Sequence, residues 1–98
     1  MHSKEKAELV QKVLLASGKI SMLSLKIVNH VYFSEEKAMV HELAEKMNVS
    51  APAISRCVDL LEKRGLLKRQ RDEKDDRRRV FIVMGTKGNI FMERIMNE

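Results

Sequence analysis

The stretch that decides the fold is SAPAISRCVDLLEKRGLLKRQRDEKDDRRR, residues 50–79. Its first half predicts a helix, because Ser50 is a favoured N-terminal cap and Pro52 falls in the first turn, where a missing backbone N–H is tolerated. Gly65 is a natural C-terminal stop for this helix. The predicted buried face repeats at helical spacing and consists of Ile54, Val58 and Leu61, with Leu60 added to it.

The second half predicts a β-hairpin with a highly charged tip. Residues 66–71 read as one strand and the apolar run VFIVM, residues 80–84, as its partner. The run is short and rich in β-branched residues, which favours a strand over a helix. Between the two strands lies RDEKDDRRR, residues 71–79, which contains no apolar side chain.

The segment before residue 50 predicts the first helix of a helix-turn-helix. Asn48 is a plausible helix end, and Val49 would be the apolar turn residue between the two helices. The inner face of the first helix is predicted to consist of Leu43, Ala44 and Met47. Residues 38–40, Ala-Met-Val, could form a very short strand.

Two further helices are predicted at the N-terminal side. Residues 4–17 and 21–33 both carry apolar residues at helical spacing, and Ser21 or Ser24 would cap the second helix. Apolar side chains lie on two faces of residues 21–33. This pattern indicates a helix that sits centrally or shares one face with a partner subunit.

The last predicted helix completes a recognisable order of elements. Gly85 breaks the second strand, and Thr86 is expected to cap a helix from residue 87 to about residue 97. Its inner face is predicted as Ile90, Phe91 and Ile95, with Met92 and Met96 beside it. The order is that of a winged helix-turn-helix, a mainly α fold with a small β-hairpin wing (α+β). We expect one domain over residues 1–98, with N-terminal core or dimerisation helices at 1–33, the helix-turn-helix at 41–65, the wing at 66–84 and the last helix at 86–98.

The net charge of +5 is concentrated in residues 50–79, which hold ten Lys and Arg against six Asp and Glu. A local basic excess in a small domain is the usual footprint of a protein that binds the phosphate backbone of nucleic acid. On charge alone, a solvated basic surface explains the pattern equally well. The single cysteine fits a reducing compartment, and no apolar run approaches the length of a membrane span.

A family resemblance becomes specific in residues 40–88, VHELAEKMNVSAPAISRCVDLLEKRGLLKRQRDEKDDRRRVFIVMGTKG. This run resembles the MarR family of bacterial and archaeal transcription regulators. The shared features are a Ser/Thr-started recognition helix, LEKRGLL, a charged D-x-R wing and a T-x-x-G helix start. The sequence departs from the family in carrying Met84-Gly85 where the family has leucine-threonine. It also ends at Glu98, before the family's long C-terminal dimerisation helices.

The recognition helix supplies the candidate sequence-reading residues. In a helix-turn-helix its N-terminal residues lie nearest the base edges of the major groove. Arg56 is the best candidate for a bidentate contact to guanine, although it could instead pair with Asp59 on the same helix. The candidates on this helix are Ser50, Ala51, Pro52, Ser55 and Arg56.

The wing supplies the remaining candidates. By resemblance, Asp76 and Arg78 match the family's D-x-R, in which the arginine enters the minor groove and the aspartate orients its guanidinium. Asp75 and Arg77 have the same spacing, so that register remains open. A solvated hairpin tip with weak local ion pairs is the alternative. The candidate DNA-binding residues of the wing are Lys68, Arg69, Lys74, Arg77, Arg78 and Arg79. Among the strand residues, Lys68 and Arg69, together with Arg71, would give non-specific phosphate contacts.

Catalysis finds no support in the sequence. His2, His30, His41 and Cys57 show no metal-ligand spacing, and no phosphate-cradling glycine loop is present. We therefore expect no metal, no cofactor and no enzymatic activity. The sequence predicts a cytoplasmic, homodimeric repressor or other regulator that binds double-stranded DNA without a membrane, and it leaves a small-molecule effector open. The alternatives are a winged helix used for protein–protein contact, or an accessory DNA-binding protein of a plasmid or virus.

Overall fold

A computed structural model describes residues 20–97. Within them lie four helices and a two-stranded antiparallel hairpin, which confirms the winged helix-turn-helix expected from the sequence. The elements are α1 (Met22–Phe33), α2 (Val40–Met47), α3 (Ala51–Lys63), β1 (Leu67–Arg71), β2 (Val80–Met84) and α4 (Thr86–Met96). The helix predicted for residues 4–17 lies outside the described residues. None of the helices within 20–97 is both long enough and apolar enough to cross a bilayer.

Capping residues set the bounds of the helix-turn-helix much as the sequence predicts. The Ser50 hydroxyl accepts the Ala53 N–H at 3.3 Å and begins α3. Asn48 ends α2 in the left-handed region, at φ 56°, and Gly65 follows α3 at φ 75°. After α3 the N–H groups of Gly65 and Leu66 donate to the carbonyls of Glu62 and Leu61. These bonds satisfy carbonyls that the end of the helix would otherwise leave unpaired, and they turn the chain into β1.

The hairpin pairs Leu67 with Met84 at its base and Arg71 with Val80 near its tip. The predicted short strand at 38–40 is reduced to one bridge, in which the Ile82 N–H donates to the Ala38 carbonyl at 2.8 Å. Val40 cannot extend that bridge because it already begins α2. This bridge fastens the wing to the segment between α1 and α2.

The core lies between α1, the helix-turn-helix and the inner face of the hairpin. Its fully covered apolar side chains include Leu25, Ile27, Leu43, Ile54, Val58, Leu61, Leu67, Ile82 and Met92. Two predictions about it were wrong. Leu60 is 41% exposed, because it projects about 100° away from Leu61 around the helix. In α4, Ile90 is 47% exposed and Met92 takes the buried position; the side chain of Ile95 lies outside the description.

Two glycines allow α4 to pack closely on the turn between α3 and β1. The Gly85 N–H donates to the Leu66 carbonyl at 2.9 Å, and the Gly88 N–H donates to the Gly65 carbonyl at 3.2 Å. A Cβ atom on Gly88 would overlap the Leu66 carbonyl oxygen, and one on Gly85 would overlap that of Gly65. The helix begins at Thr86 itself, one residue earlier than predicted, because the Gly85 carbonyl already accepts the Asn89 N–H.

Candidate nucleic-acid interface

The exposed side of α3 carries the predicted sequence-reading residues. Ala51, Pro52 and Arg56 are exposed, and Ser55 is half-buried. The Ser50 hydroxyl is occupied by the helix cap. Arg56 makes no ion pair with any of residues 20–97, so its guanidinium is open to a ligand on that side. The alternative pairing of Arg56 with Asp59 does not form.

Asp59 is instead held by Arg69 of β1. The Arg69 guanidinium forms two salt bridges of 2.8 Å, through Nη2 to Asp59 Oδ1 and through Nη1 to Glu62 Oε1. The Arg69 backbone N–H also donates to Glu62 Oε2 at 3.2 Å. Arg69 therefore joins the wing to the recognition helix. Its predicted phosphate contact stays a prediction, and the geometry gives its side chain another task.

The wing tip is organised around Asp72, a residue that the sequence reading did not single out. Asp72 Oδ1 accepts the N–H groups of Lys74 and Asp75 at 3.1 and 3.2 Å, and Oδ2 accepts that of Asp76 at 3.3 Å. Arg79 Nη2 donates to the same oxygen at 2.5 Å. The hydrogen bond from the Asp75 amide is the largest cause that holds the pKa of Asp72 below its ordinary value. Burial acts in the opposite direction, and the remaining hydrogen-bond donors lower the pKa further. The sequence did carry a signal for this role, because an Asp side chain at the start of a turn often accepts the backbone N–H two residues farther along.

Asp76 and Arg78 form the pair that the D-x-R resemblance implies. Arg78 Nε donates to Asp76 Oδ1 at 3.2 Å, Nη2 approaches Oδ2 at 3.4 Å, and the Arg78 N–H also donates to Oδ1. The Arg78 side chain, then its amide, lowers the pKa of Asp76. The Arg78 side chain is nevertheless 92% exposed. The alternative pair of Asp75 with Arg77 is not formed within residues 20–97. Asp75 Oδ2 lies 3.5 Å from Arg79 Nη2 instead.

The other wing cations divide into two groups. Arg79 is turned inward, with its Cζ 5.9 Å from the centre of the Phe81 ring, and Lys37 Nζ lies 6.0 Å from the same centre. Lys68, Lys74 and Arg77 are exposed and form no ion pair within residues 20–97. These three remain free for phosphate contacts, whereas Arg79 mainly supports the wing.

The recognition helix and the wing arginine meet on one side of the molecule. Ala51, the first residue of α3, and Arg78 line the same shallow open groove, together with Val40 and His41 at the start of α2. A ligand that lies along this side can therefore reach both elements at once.

Within residues 20–97, His30, His41 and Cys57 form no second site. His30 is half-buried, and burial, followed by the nearby Lys46 charge, lowers its pKa. Cys57 is half-buried on α3 and has a free thiol. Within the described part of the chain, no group of three His, Cys, Asp or Glu side chains could hold a metal ion.

Comparison with known proteins gives a consistent result. The sequence matches the model of the MarR family over residues 20–80. The transcriptional regulator Tm0710 from Thermotoga maritima is 26% identical, with a TM-score of 0.75 over 93% of this chain and 63% of that chain. The transcriptional regulator BldR from Sulfolobus solfataricus is 32% identical, with a TM-score of 0.67 over 94% of this chain and 61% of that one.

A third solved structure, the transcriptional regulator PA3341, is 27% identical, with a TM-score of 0.73 over 93% of this chain and 64% of that chain. The present chain thus spans less than two thirds of the length of these three proteins. A search of curated proteins gave no significant match.

Proposed function

The chain belongs to the MarR family, and from that membership we propose that it is a transcription regulator that binds double-stranded DNA in a sequence-specific manner. The relatives named above are transcriptional regulators, which agrees with the prediction of a protein that is not an enzyme. Because this chain spans only part of their length, the activity of the whole protein belongs to the proposal.

One observation carries the proposal most directly: an exposed but oriented Arg78 shares a groove with the start of α3. In the proposed complex α3 enters the major groove and the wing tip reaches the adjacent minor groove. Arginine favours a narrow minor groove because the electrostatic potential there is strongly negative. Since Asp76 already orders the Arg78 side chain, less conformational entropy is lost on binding.

The roles of the other candidates follow from their exposure. Arg56 is proposed to donate two hydrogen bonds to a guanine edge, and Ser55 to bond a base or a phosphate. Ala51 and Pro52 present apolar surface for a thymine methyl group, while Ser50 holds the helix start beside the groove. Lys68, Lys74 and Arg77 would supply sequence-independent affinity through phosphate contacts.

The proposal also includes a homodimer that represses by occupying a palindromic operator in the cytoplasm. A two-fold symmetric dimer binds half-sites about one helical turn apart, roughly 34–36 Å along the duplex. Membership of a family of DNA-binding regulators supports this assembly. A mass measurement in solution tests it, because a stable monomer at the concentration of the binding assay would contradict the dimer.

Selection from random genomic duplex fragments, repeated across salt concentrations, tests the function. A regulator should enrich one palindrome, and its affinity should fall linearly with salt on logarithmic axes. Enrichment of no sequence, with salt-dependent binding, would instead indicate an accessory DNA-binding protein. Absence of duplex binding at low salt would overturn the proposal and favour a protein-interaction module.

A further inference from the structure

Arg56 has a potential competitor for its guanidinium on its own helix. Asp59 follows it by three residues, and side chains three apart on a helix are neighbours that readily form ion pairs. Both residues are exposed. An Asp59 carboxylate without another partner would therefore draw Arg56 along the helix and away from a base.

The structure prevents this pairing through a residue of the wing. Arg69 Nη2 lies 2.8 Å from Asp59 Oδ1, while Nη1 lies 2.8 Å from Glu62 Oε1. A planar guanidinium can satisfy two carboxylates at once, whereas an ammonium is a single point of charge. The Arg69 side chain is only 30% exposed, so much of it is covered against α3.

The same contacts alter the charge that the duplex would meet. Asp59 and Glu62 are two negative charges on the recognition helix, and uncompensated carboxylates beside phosphates are repelled. Arg69 places a positive charge within salt-bridge distance of both. Its guanidinium is thereby turned toward α3 and away from a role as a separate phosphate ligand.

We propose that Arg69 is a positioning residue for sequence readout, which holds Asp59 away from Arg56 and so keeps Arg56 available to a base. The inference rests on the proposed function, because it concerns how the same surface reads DNA. It assigns the specificity of α3 partly to a residue of β1. It also replaces the simpler role of Arg69 as a phosphate contact.

Arg69→Met is the principal test, since methionine keeps an apolar stem but cannot bind the carboxylates. Discrimination is measured as the ratio of affinities for the selected duplex and for one changed at the base that Arg56→Ala identifies. In Arg69→Met this ratio is expected to fall about tenfold, the range of a bidentate base contact. Adding Asp59→Asn should restore the ratio to within about twofold, because a neutral amide no longer competes for Arg56.

Glu62→Gln in the Arg69→Met background is the matched control. Glu62 lies six residues after Arg56, on another side of the helix, so its neutralisation should leave discrimination low. If Asp59→Asn and Glu62→Gln restored discrimination equally, the loss in Arg69→Met would be explained by general charge repulsion, and the inference would be overturned. It would also be overturned if Arg69→Met kept full discrimination and lowered the salt slope by about one, as a lost phosphate contact does.

Arg69→Lys is the second variant if thermal unfolding shows that Arg69→Met is not folded at the assay temperature. One ammonium cannot hold both carboxylates, so Asp59→Asn should again improve discrimination and Glu62→Gln should not. The failure of this inference is distinguishable from that of the proposed function. If wild-type protein selects no duplex, the function itself fails; if it does and Asp59→Asn rescues neither Arg69 variant, only the role of Arg69 fails.

Discussion

Arg79 Nη2 lies 2.5 Å from Asp72 Oδ2, and this contact closes the wing tip between two residues that are seven positions apart in the chain. The Asp72 carboxylate is nearly covered and also accepts three backbone N–H groups, so it joins the strand ends to the turn between them. The tip of the wing that we propose inserts into DNA is therefore shaped by an acidic residue.

Asp72→Asn is expected to loosen the tip, because an asparagine has one acceptor oxygen and no charge for Arg79. Amide hydrogen exchange at Lys74, Asp75 and Asp76 should accelerate, and affinity should fall several-fold on all duplexes without a change in preferred sequence. Asp75→Asn is the control, since Asp75 is 81% exposed and lies 3.5 Å from Arg79. Equal effects of the two substitutions would refute the central role of Asp72.

Arg78→Ala should weaken binding to every duplex, because a minor-groove arginine contributes affinity with little base discrimination. The logarithmic salt slope should decrease by about one. Asp76→Asn is its matched partner: it keeps the arginine charge but removes the ion pair. We expect a smaller loss of affinity and an unchanged slope in that variant. An unaltered affinity in Arg78→Ala would exclude Arg78 from the interface.

Arg56→Ala should change which base is preferred at one position of each half-site. The expected loss of discrimination is about 1–3 kcal/mol, the range of one bidentate base contact. Selection from random duplexes measures it directly. Lys63→Ala provides the comparison, since Lys63 is exposed on α3 two turns farther along; it should leave the preferred sequence intact. Loss of preference in Lys63→Ala alone would move the reading position to the other end of the helix.

Gly88→Ala should lower the thermal stability of the protein. Alanine normally gains about 1 kcal/mol over glycine inside a helix. Here its methyl group would overlap the Leu66 carbonyl oxygen, and forced repacking of this kind typically destabilises by about 1–3 kcal/mol. Asn89→Ala, at the next and exposed position, should leave the melting temperature nearly unchanged. A higher melting temperature for Gly88→Ala would show that α4 can move away from the turn between α3 and β1 without destabilising the fold.

His30 should make stability depend on pH below neutrality. Burial and Lys46 lower its pKa, so the folded state binds this proton less tightly than the unfolded chain does. Stability is then highest above the unfolded pKa of about 6.5 and declines as the pH falls toward the lower folded pKa. His30→Gln should remove this part of the decline in melting temperature, whereas His41→Gln, at an exposed site, should retain it.

Local patterns were sufficient to predict most of the elements. The bounds of α3 follow from Ser50 and Gly65, because capping and left-handed backbone geometry act between near neighbours in the chain. The strand at 80–84 was likewise predicted with its observed bounds. Apolar periodicity also identified Ile54, Val58 and Leu61 as the buried face of α3.

Local patterns could not predict which apolar residues are covered or which side chains contact one another after folding. Leu60 is apolar but exposed, and Met92 rather than Ile90 fills the core, because the way a helix packs on its neighbours decides which of its apolar residues are covered. The position of Asp72 beneath three amides depends on how the tip folds back.

The sequence alone determined the order of the described elements, the ends of α3 and the concentration of basic charge, since each depends on residue type and short spacing. The family resemblance had already offered Asp76 with Arg78 as one of two registers, and only the tertiary structure decided that Arg69 holds Asp59. A charged side chain takes the partner that packing brings within about 4 Å. That distance is set by where β1 docks against α3, which no local pattern encodes.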